Sequence, residues 1–487
     1  MTEARYDVAI LGAGPAGYAA AMRAHDLGKR ALLVERARVG GTGIHAGALS
    51  SKTMWHLSND FATVRRVDRG YRAGDVELSY RAVLDAVRGA VDERRATLTY
   101  QLSRLAAPSA RGGTVELVAG AARFVSPHAV EVTAADGAQR LLEADHFLVA
   151  TGSRPRTPPG LEIDGERVIT SDHIEALPDF PESMVVVGAG VIGCEYATIF
   201  ANFGRSRISI LDRQPRILPF EDEDVADVIA RNFERLGVRI HREAKLESLR
   251  ARDGGVEYVI SSPGGATETL HVERALVSVG RAPNTEGLGL RDIGVELDRS
   301  GGVVVEHTRS TVPHIHAAGD VTMDIALANV AELEARHAVE AMFGLGPQPI
   351  RYEALSAIMF LSPEVASVGL NETQAKKAGV HYRAGKVCNA LVNRNIAMRQ
   401  TGGFAKLLAS PEGRILGLRV VGPEASSAAQ GIAFLIDKGG TISDIDHCVH
   451  PHPAITEGVQ ECARLLLGRS IHKCEVFGEE LLRVGDG

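Results

Sequence analysis

The stretch YDVAILGAGPAGYAAAMRAHDLGKRALLVE (Tyr6–Glu35) reads as strand, glycine turn, helix, strand. Gly12, Gly14 and Gly17 form GxGxxG directly after the apolar run Val8–Leu11. The first glycine permits a tight turn, the second lets the backbone approach a pyrophosphate, and the third lets the helix pack on the strand. The helix then presents free N–H groups and its positive dipole end to phosphate. Glu35 closes the second strand, where a carboxylate can accept from ribose hydroxyls. Strand, helix, spacing and acid together favour a nucleotide site over a bare structural turn.

The same plan returns in SMVVVGAGVIGCEYATIFANFGRSRISILD (Ser183–Asp212), with Gly188, Gly190 and Gly193 as the glycines and Asp212 as the acid. An aspartate there repels a 2′-phosphate, so NAD(H) is preferred. Arg213 and Arg216 follow and can soften that preference, which keeps NADP(H) possible, although solvated loop charges are the commoner reading. Two dinucleotide units in one chain imply two nucleotides, and hence hydride transfer between a nicotinamide and a flavin.

Working outward, 487 residues exceed one hydrophobic core and predict roughly two to four domains. A net charge of −7 without a basic tract argues against nucleic acid as a partner. No apolar run is long enough for a membrane span. The N-terminus enters a strand almost at once, without a signal-peptide pattern. The cysteines, Cys194, Cys388, Cys448, Cys462 and Cys474, are odd in number and far apart. They suggest neither a disulfide framework nor a zinc site, and a cytoplasmic location is expected.

Tyr80–Ala106 has helical spacing, whereas Thr114–Val149 alternates and predicts short antiparallel strands. TPPGLEIDGERV (Thr157–Val168) reads as a crossing loop between domains. From Arg351 the pattern becomes α+β, and from Cys474 it reads as a surface tail. The predicted fold class is α/β, with two Rossmann-like dinucleotide-binding domains and a C-terminal α+β domain.

Four further motifs come in a fixed order: LVATGSRP (Leu148–Pro155), VSVGRAPNT (Val277–Thr285), HAAGDV (His316–Val321) and HPAITE (His452–Glu457). With them the whole chain resembles the pyridine nucleotide–disulfide oxidoreductases. Its nearest pattern is similar to dihydrolipoamide dehydrogenase and the soluble pyridine nucleotide transhydrogenases. The resemblance implies an FAD-binding domain over 1–155 and 286–350, an NAD(P)-binding domain over 156–285, a dimerisation domain over 351–473 and a tail over 474–487. It implies a homodimer. Gly12, Gly14, Gly17, Glu35, Gly41, Thr42, Lys52, Thr151, Gly152, Gly319 and Asp320 would hold FAD. Gly188, Gly190, Gly193, Glu195, Asp212, Arg213 and Gly280 would hold NAD(P). Lys52 would lie near flavin N5 and pair with Glu195, and the helix after Asp320 would aim its N-terminus at the flavin ring.

One stretch departs from the family. In GGTGIHAGALSSKTM (Gly40–Met54), Gly43 and Ala48 stand where the disulfide reductases carry their two redox cysteines, and Ser50 replaces a proline. Without those thiols the expected route is from NAD(P)H through flavin directly to a small-molecule acceptor. A second pyridine nucleotide is the leading expectation, because the loop resembles the transhydrogenases at His45 and His56. A quinone or dye-like carrier, in a diaphorase-type reductase, is the alternative. A third reading is a thiol-degenerate dihydrolipoamide dehydrogenase-like protein serving as a binding subunit. His452 and Glu457 match the family's acid–base dyad, which is contributed to the partner subunit's site and could protonate a quinone. His447, Cys448, His450 and His452 invite a metal reading, but the run is extended and Pro-interrupted and lacks ligand spacing, so no metal is expected. Cys462 and Cys474 read as ordinary thiols.

Overall fold

The computed structural model describes residues 5–74, 76–108 and 110–487. The first sheet has a parallel centre in the order Thr114–Ala119, Arg30–Glu35, Tyr6–Leu11, Gln139–Val149, with Ile315–Ala317 returning beside the last. Helix α1 (Pro15–Asp26) follows the first turn, with Pro15 at its first position and Gly14 as its N-cap. A Cβ on Gly17 would lie 1.7 Å from the Gly12 carbonyl oxygen, so only glycine lets α1 start this close to its strand. The stretch predicted to be wholly antiparallel is mixed. Ala121–Ser126, Ala129–Thr133 and Gln139–Val149 pair antiparallel, but Thr114–Ala119 pairs parallel to Arg30–Glu35. Alternation reports a half-buried strand and not its direction.

A short helix and a long one lead out of this unit. Helix α2 (Gly41–His45) and helix α3 (Ala48–Val64) carry the loop that departs from the family, and α4 (Tyr80–Leu105) runs beside α3. The second unit is a five-stranded parallel sheet in the order Arg239–His241, Arg207–Leu211, Ser183–Val187, Arg274–Val277, Val168–Ile169. Its helix α5 (Val191–Phe203) is buried from Gly193 onward. A small antiparallel ribbon, Ser153–Pro155 against Arg281–Pro283, forms where the chain crosses between the units. Helix α6 (Glu223–Arg235) follows in the second unit, and α7 (Ala328–Met342) packs on α1 in the first.

The C-terminal part is a six-stranded antiparallel sheet in the order Ser356–Met359, Val365–Gly369, Ile415–Val421, Phe404–Ala409, Arg383–Cys388, Leu482–Asp486. Its last strand corrects the reading of a surface tail. Cys474–Leu481 is helical, and Leu482–Asp486 caps the edge strand Arg383–Cys388. Pairing satisfies edge N–H and C=O groups that would otherwise template association. One core joins all three parts. Met54 and Trp55 of α3, Phe200 and Phe203 of α5, and Met359 and Leu361 of the C-terminal part share a single apolar cluster. Helix α3 is therefore the strut on which the parts meet.

Candidate active site

The two glycine turns are near copies. Gly12 and Gly188 have φ of 107° and 101°, which only glycine adopts freely. In the first, Glu35 accepts from the N–H of Ala13 (2.7 Å) and of Ala37 (2.8 Å). In the second, Asp212 accepts from Ala189 (2.7 Å) and Gln214 (2.8 Å). Each acid thus braces its own turn before any ribose arrives. At Gly14 and Gly190 a Cβ would meet nothing within 4 Å, so open space lies against both helix N-termini. Those cradles fit two dinucleotide pyrophosphates. Gly41 brings its loop against the first cradle, its Cβ position 3.0 Å from Gly14 Cα, and carries Thr42 with it. Arg213 is exposed beside Asp212, and neither it nor Arg216 forms an ion pair among the described residues.

Lys52 sits one turn into α3. Its Nζ donates to Glu195 Oε2 at 2.7 Å, and Glu195 Oε1 accepts from the Phe360 N–H at 2.9 Å. The Phe360 ring lies 5.0 Å from the ammonium, and Trp55 packs edge-on against that ring. The Glu195 side chain is only 7 % exposed. Removing its cation strands a buried carboxylate, at a cost of about 3 kcal/mol. One lysine from the first unit, one glutamate from the second and one backbone amide from the C-terminal part therefore form a single knot.

Asp320 opens a 3₁₀ turn after Gly319, and α7 begins only at Ala328. Ser153 Oγ donates to Asp320 Oδ2 at 2.6 Å. Arg281 donates through Nε to that same serine oxygen at 2.6 Å and through Nη2 to the Ser153 carbonyl at 2.8 Å. Behind the turn, Glu334 accepts from the Gly319 N–H at 2.8 Å and from the Tyr352 hydroxyl at 2.9 Å. Burial pushes the Glu334 carboxyl above its ordinary range. Thr151 and Asn284 exchange two bonds across the crossing ribbon (2.8 and 2.9 Å), and Gly152 (φ 67°) and Gly280 (φ 104°) turn the chain there.

The loop at 40–54 holds no sulfur. A Cβ on Gly43 would lie 2.6 Å from Pro15 Cγ, so a larger residue there requires the loop to shift. The His45 ring contacts the Val39 carbonyl at 2.9 Å, while His56 is exposed on α3 beside Trp55. No other thiol stands in for the pair. Cys194 and Cys462 are fully buried, and burial pushes both thiols far up. The C-terminal dyad, by contrast, is formed. His452 Nδ1 lies 2.7 Å from Glu457 Oε1, and Glu457 Oε2 accepts from the Ala454 N–H at 2.8 Å. Burial raises the Glu457 carboxyl, but these bonds outweigh it and hold it below the usual range. As an ionised acceptor it requires a proton on Nδ1, which orients the ring and leaves Nε2 outward, on a side chain 64 % exposed. The rings of His447 and His450 rest on backbone carbonyls, and no cluster able to hold a metal occurs among the described residues.

The family profile for pyridine nucleotide-disulphide oxidoreductases matches residues 6–335, and its dimerisation domain matches residues 355–463. The chain belongs to the pyridine nucleotide–disulphide oxidoreductases. It is an FAD-dependent pyridine nucleotide oxidoreductase using FAD and NAD(H), and it is a homodimer through its C-terminal domain. The dihydrolipoyl dehydrogenases of Chlorobaculum tepidum and Geobacillus stearothermophilus are each 34 % identical, over 462 and 466 residues. These alignments cover 94 % and 95 % of this chain and 97 % and 96 % of the relatives. LpdA from Mycobacterium tuberculosis superposes with a TM-score of 0.85 at 30 % identity, covering 94 % of this chain and 99 % of LpdA. A flavoprotein disulfide reductase, RclA from Escherichia coli, shares the fold at 24 % identity and a TM-score of 0.83, covering 95 % of this chain and 100 % of RclA. No helix among the described residues is long and apolar enough to cross a membrane.

Ser153, Arg281, Glu334 and Phe360 join the site beyond the residues expected from the motifs. Ser153 and Arg281 stand inside motifs already quoted, so their signal was present. Phe360 acts through its backbone N–H and leaves none.

Proposed function

We propose that this oxidoreductase takes hydride from NADH, and less readily from NADPH, and passes electrons straight to a small acceptor that needs a proton, a quinone above all. The observation that carries this reading is the formed His452–Glu457 dyad in a chain whose redox loop has Gly43 and Ala48. When bound, FAD accepts hydride from the nicotinamide and yields electrons to the acceptor. We assign Gly12, Gly14, Gly17, Glu35, Gly41, Thr42, Thr151, Gly152, Gly319 and Asp320 to holding it, across residues 1–155 and 286–350. Gly188, Gly190, Gly193, Asp212, Arg213 and Gly280 hold the nicotinamide nucleotide, within 156–285. Lys52, held in place by its bond to Glu195, supplies a fixed positive charge to the site. Each hydride delivered to a quinone needs one further proton for the hydroquinone. The imidazolium form of His452 delivers it from Nε2 and takes a proton back from solvent, while Glu457 holds Nδ1–H and keeps the ring in register.

Transhydrogenation to a second pyridine nucleotide is the other reading, favoured by the exposed His56 one turn beyond Lys52. Anaerobic stopped-flow separates the two. The protein is reduced with one equivalent of NADH, then mixed with thio-NAD⁺ or with a small quinone, and recovery of the long-wavelength absorbance is followed. Fast recovery with quinone and slow recovery with thio-NAD⁺ is the expected result. The reverse order makes the enzyme a transhydrogenase, and no bleaching by NADH sinks both readings.

A further inference from the structure

We propose that Arg281, a residue of the nicotinamide-nucleotide unit, is a positioning residue for the flavin: it aims the Ser153 hydroxyl at Asp320 and so sets the carboxylate on which flavin binding depends. This rests on the reading of Asp320 as a flavin contact.

A serine hydroxyl is a free rotor with one proton to give and two lone pairs. Here Arg281 Nε–H occupies a lone pair at 2.6 Å, which turns the O–H toward Asp320 Oδ2, also at 2.6 Å. The second guanidinium bond, to the Ser153 carbonyl, fixes the fork in place. The guanidinium Nε is itself 3.6 Å from Asp320 Oδ2, and the Arg281 side chain is only 13 % exposed. Asp320 is thereby anchored through one oxygen. Its Oδ1 makes no hydrogen bond among the described residues and remains to accept from a hydroxyl.

The relay also crosses a boundary. Ser153 and Arg281 lie on the two strands of the crossing ribbon, Pro283 opposite Ser153 and Arg281 opposite Pro155. Asp320 belongs to the first unit, and Arg281 directly follows Gly280 of the second. A shift of the second unit against the first moves the guanidinium and frees the serine rotor. Flavin retention is therefore tied to the seating of the nicotinamide unit.

The test measures FAD affinity by recovery of flavin fluorescence on dilution, together with the visible spectrum and the rate of reduction by NADH. Arg281→Met is expected to weaken FAD binding about tenfold, the usual worth of a charge-assisted hydrogen bond. It should also shift the visible band, with KM for NADH unchanged. Arg281→Lys should recover part of the affinity. Ser153→Ala should match Arg281→Met, and the double variant should be no worse than either single one, because one relay is broken once. Unchanged affinity and spectrum in Arg281→Met overturns the proposal, as do additive losses in the double variant. If Arg281→Met does not fold, Ser153→Ala decides: a loss of FAD affinity no larger than that of Asp320→Asn supports the relay, and unchanged affinity overturns it. Asp320→Asn also separates the two levels. If it alone weakens FAD, the relay fails and the reading of Asp320 stands; if it has no effect, that reading fails and the relay with it.

Discussion

The redox loop at 40–54 and the dyad at 452–457 are partners in a disulfide reductase, yet here they have diverged. The loop is held against the first glycine turn, with Gly40 donating to the Ala13 carbonyl at 2.8 Å, but offers glycine and alanine where thiols are expected. The dyad keeps both side chains and both hydrogen bonds. Dihydrolipoamide chemistry needs the two together. A reaction needing electrons without thiols, but still needing a proton, uses only the second. Under the proposed function the electron path and the proton path are carried by different domains, and the contrast teaches where to cut one without the other.

Four experiments break or sharpen that contrast. The largest effect is expected from His452→Ala, which should lower quinone turnover by about 10²- to 10⁴-fold, the usual share of a positioned general acid. Reduction by NADH should be untouched, and a slowed NADH half-reaction would tie the dyad to the wrong step. Next, Lys52→Gln should slow reduction by NADH by about 10²-fold, the scale of one lost electrostatic contact. Glutamine can still donate to Glu195 but brings no charge, so a stability loss of up to about 3 kcal/mol accompanies the slowed reduction and is read separately by thermal unfolding. If stopped-flow shows no change, Lys52 does not face the flavin.

The third experiment uses a region outside both partners. Burial depresses His316, two residues before the Ala318–Gly319 turn, to about 4. Its neighbours His146 and His337 are depressed too, and His307, His314 and Arg309 lie near. A histidine neutral in the fold binds its proton more readily when unfolded, so stability falls as pH drops from about 6.5 toward 4, on the order of 2–3 kcal/mol. Denaturant titrations across that range should show this loss, and His316→Phe should flatten it. If acid stability is unchanged by that variant, the other histidines carry the effect. The smallest effect is expected from Gly43→Ala, which crowds Pro15 and should cost about 1–3 kcal/mol. Thermal unfolding at wild-type temperature would show that the loop yields freely and that glycine is not required by packing.

Much of this was legible in the sequence for a local reason. Gly12, Gly17 and their counterparts Gly188 and Gly193 are demanded by contacts within a single strand–turn–helix unit, so the requirement is written in adjacent residues. The pairing of Lys52 with Glu195 spans 143 positions, and came only from the family resemblance. The terminal strand was missed because Leu482–Asp486 has meaning only beside Arg383–Cys388, an edge that exists after the sheet has formed. The direction of Thr114–Ala119 is not legible in its alternation, because strand direction is set by the neighbour Arg30–Glu35. Glu334 and Tyr352 meet only where α7 reaches the C-terminal part.

The sulfur-free loop also changes how this enzyme can be poisoned. Enzymes that cycle a vicinal dithiol are stopped by arsenicals, heavy metals and electrophiles that clamp the two sulfurs. Here Cys194 and Cys462 are fully buried, Cys388 and Cys474 are half-buried, and the exposed Cys448 lies on the dimerisation domain. Such agents therefore meet no dithiol in the catalytic loop. Turnover should persist in thiophilic and oxidising surroundings that silence dithiol-dependent relatives.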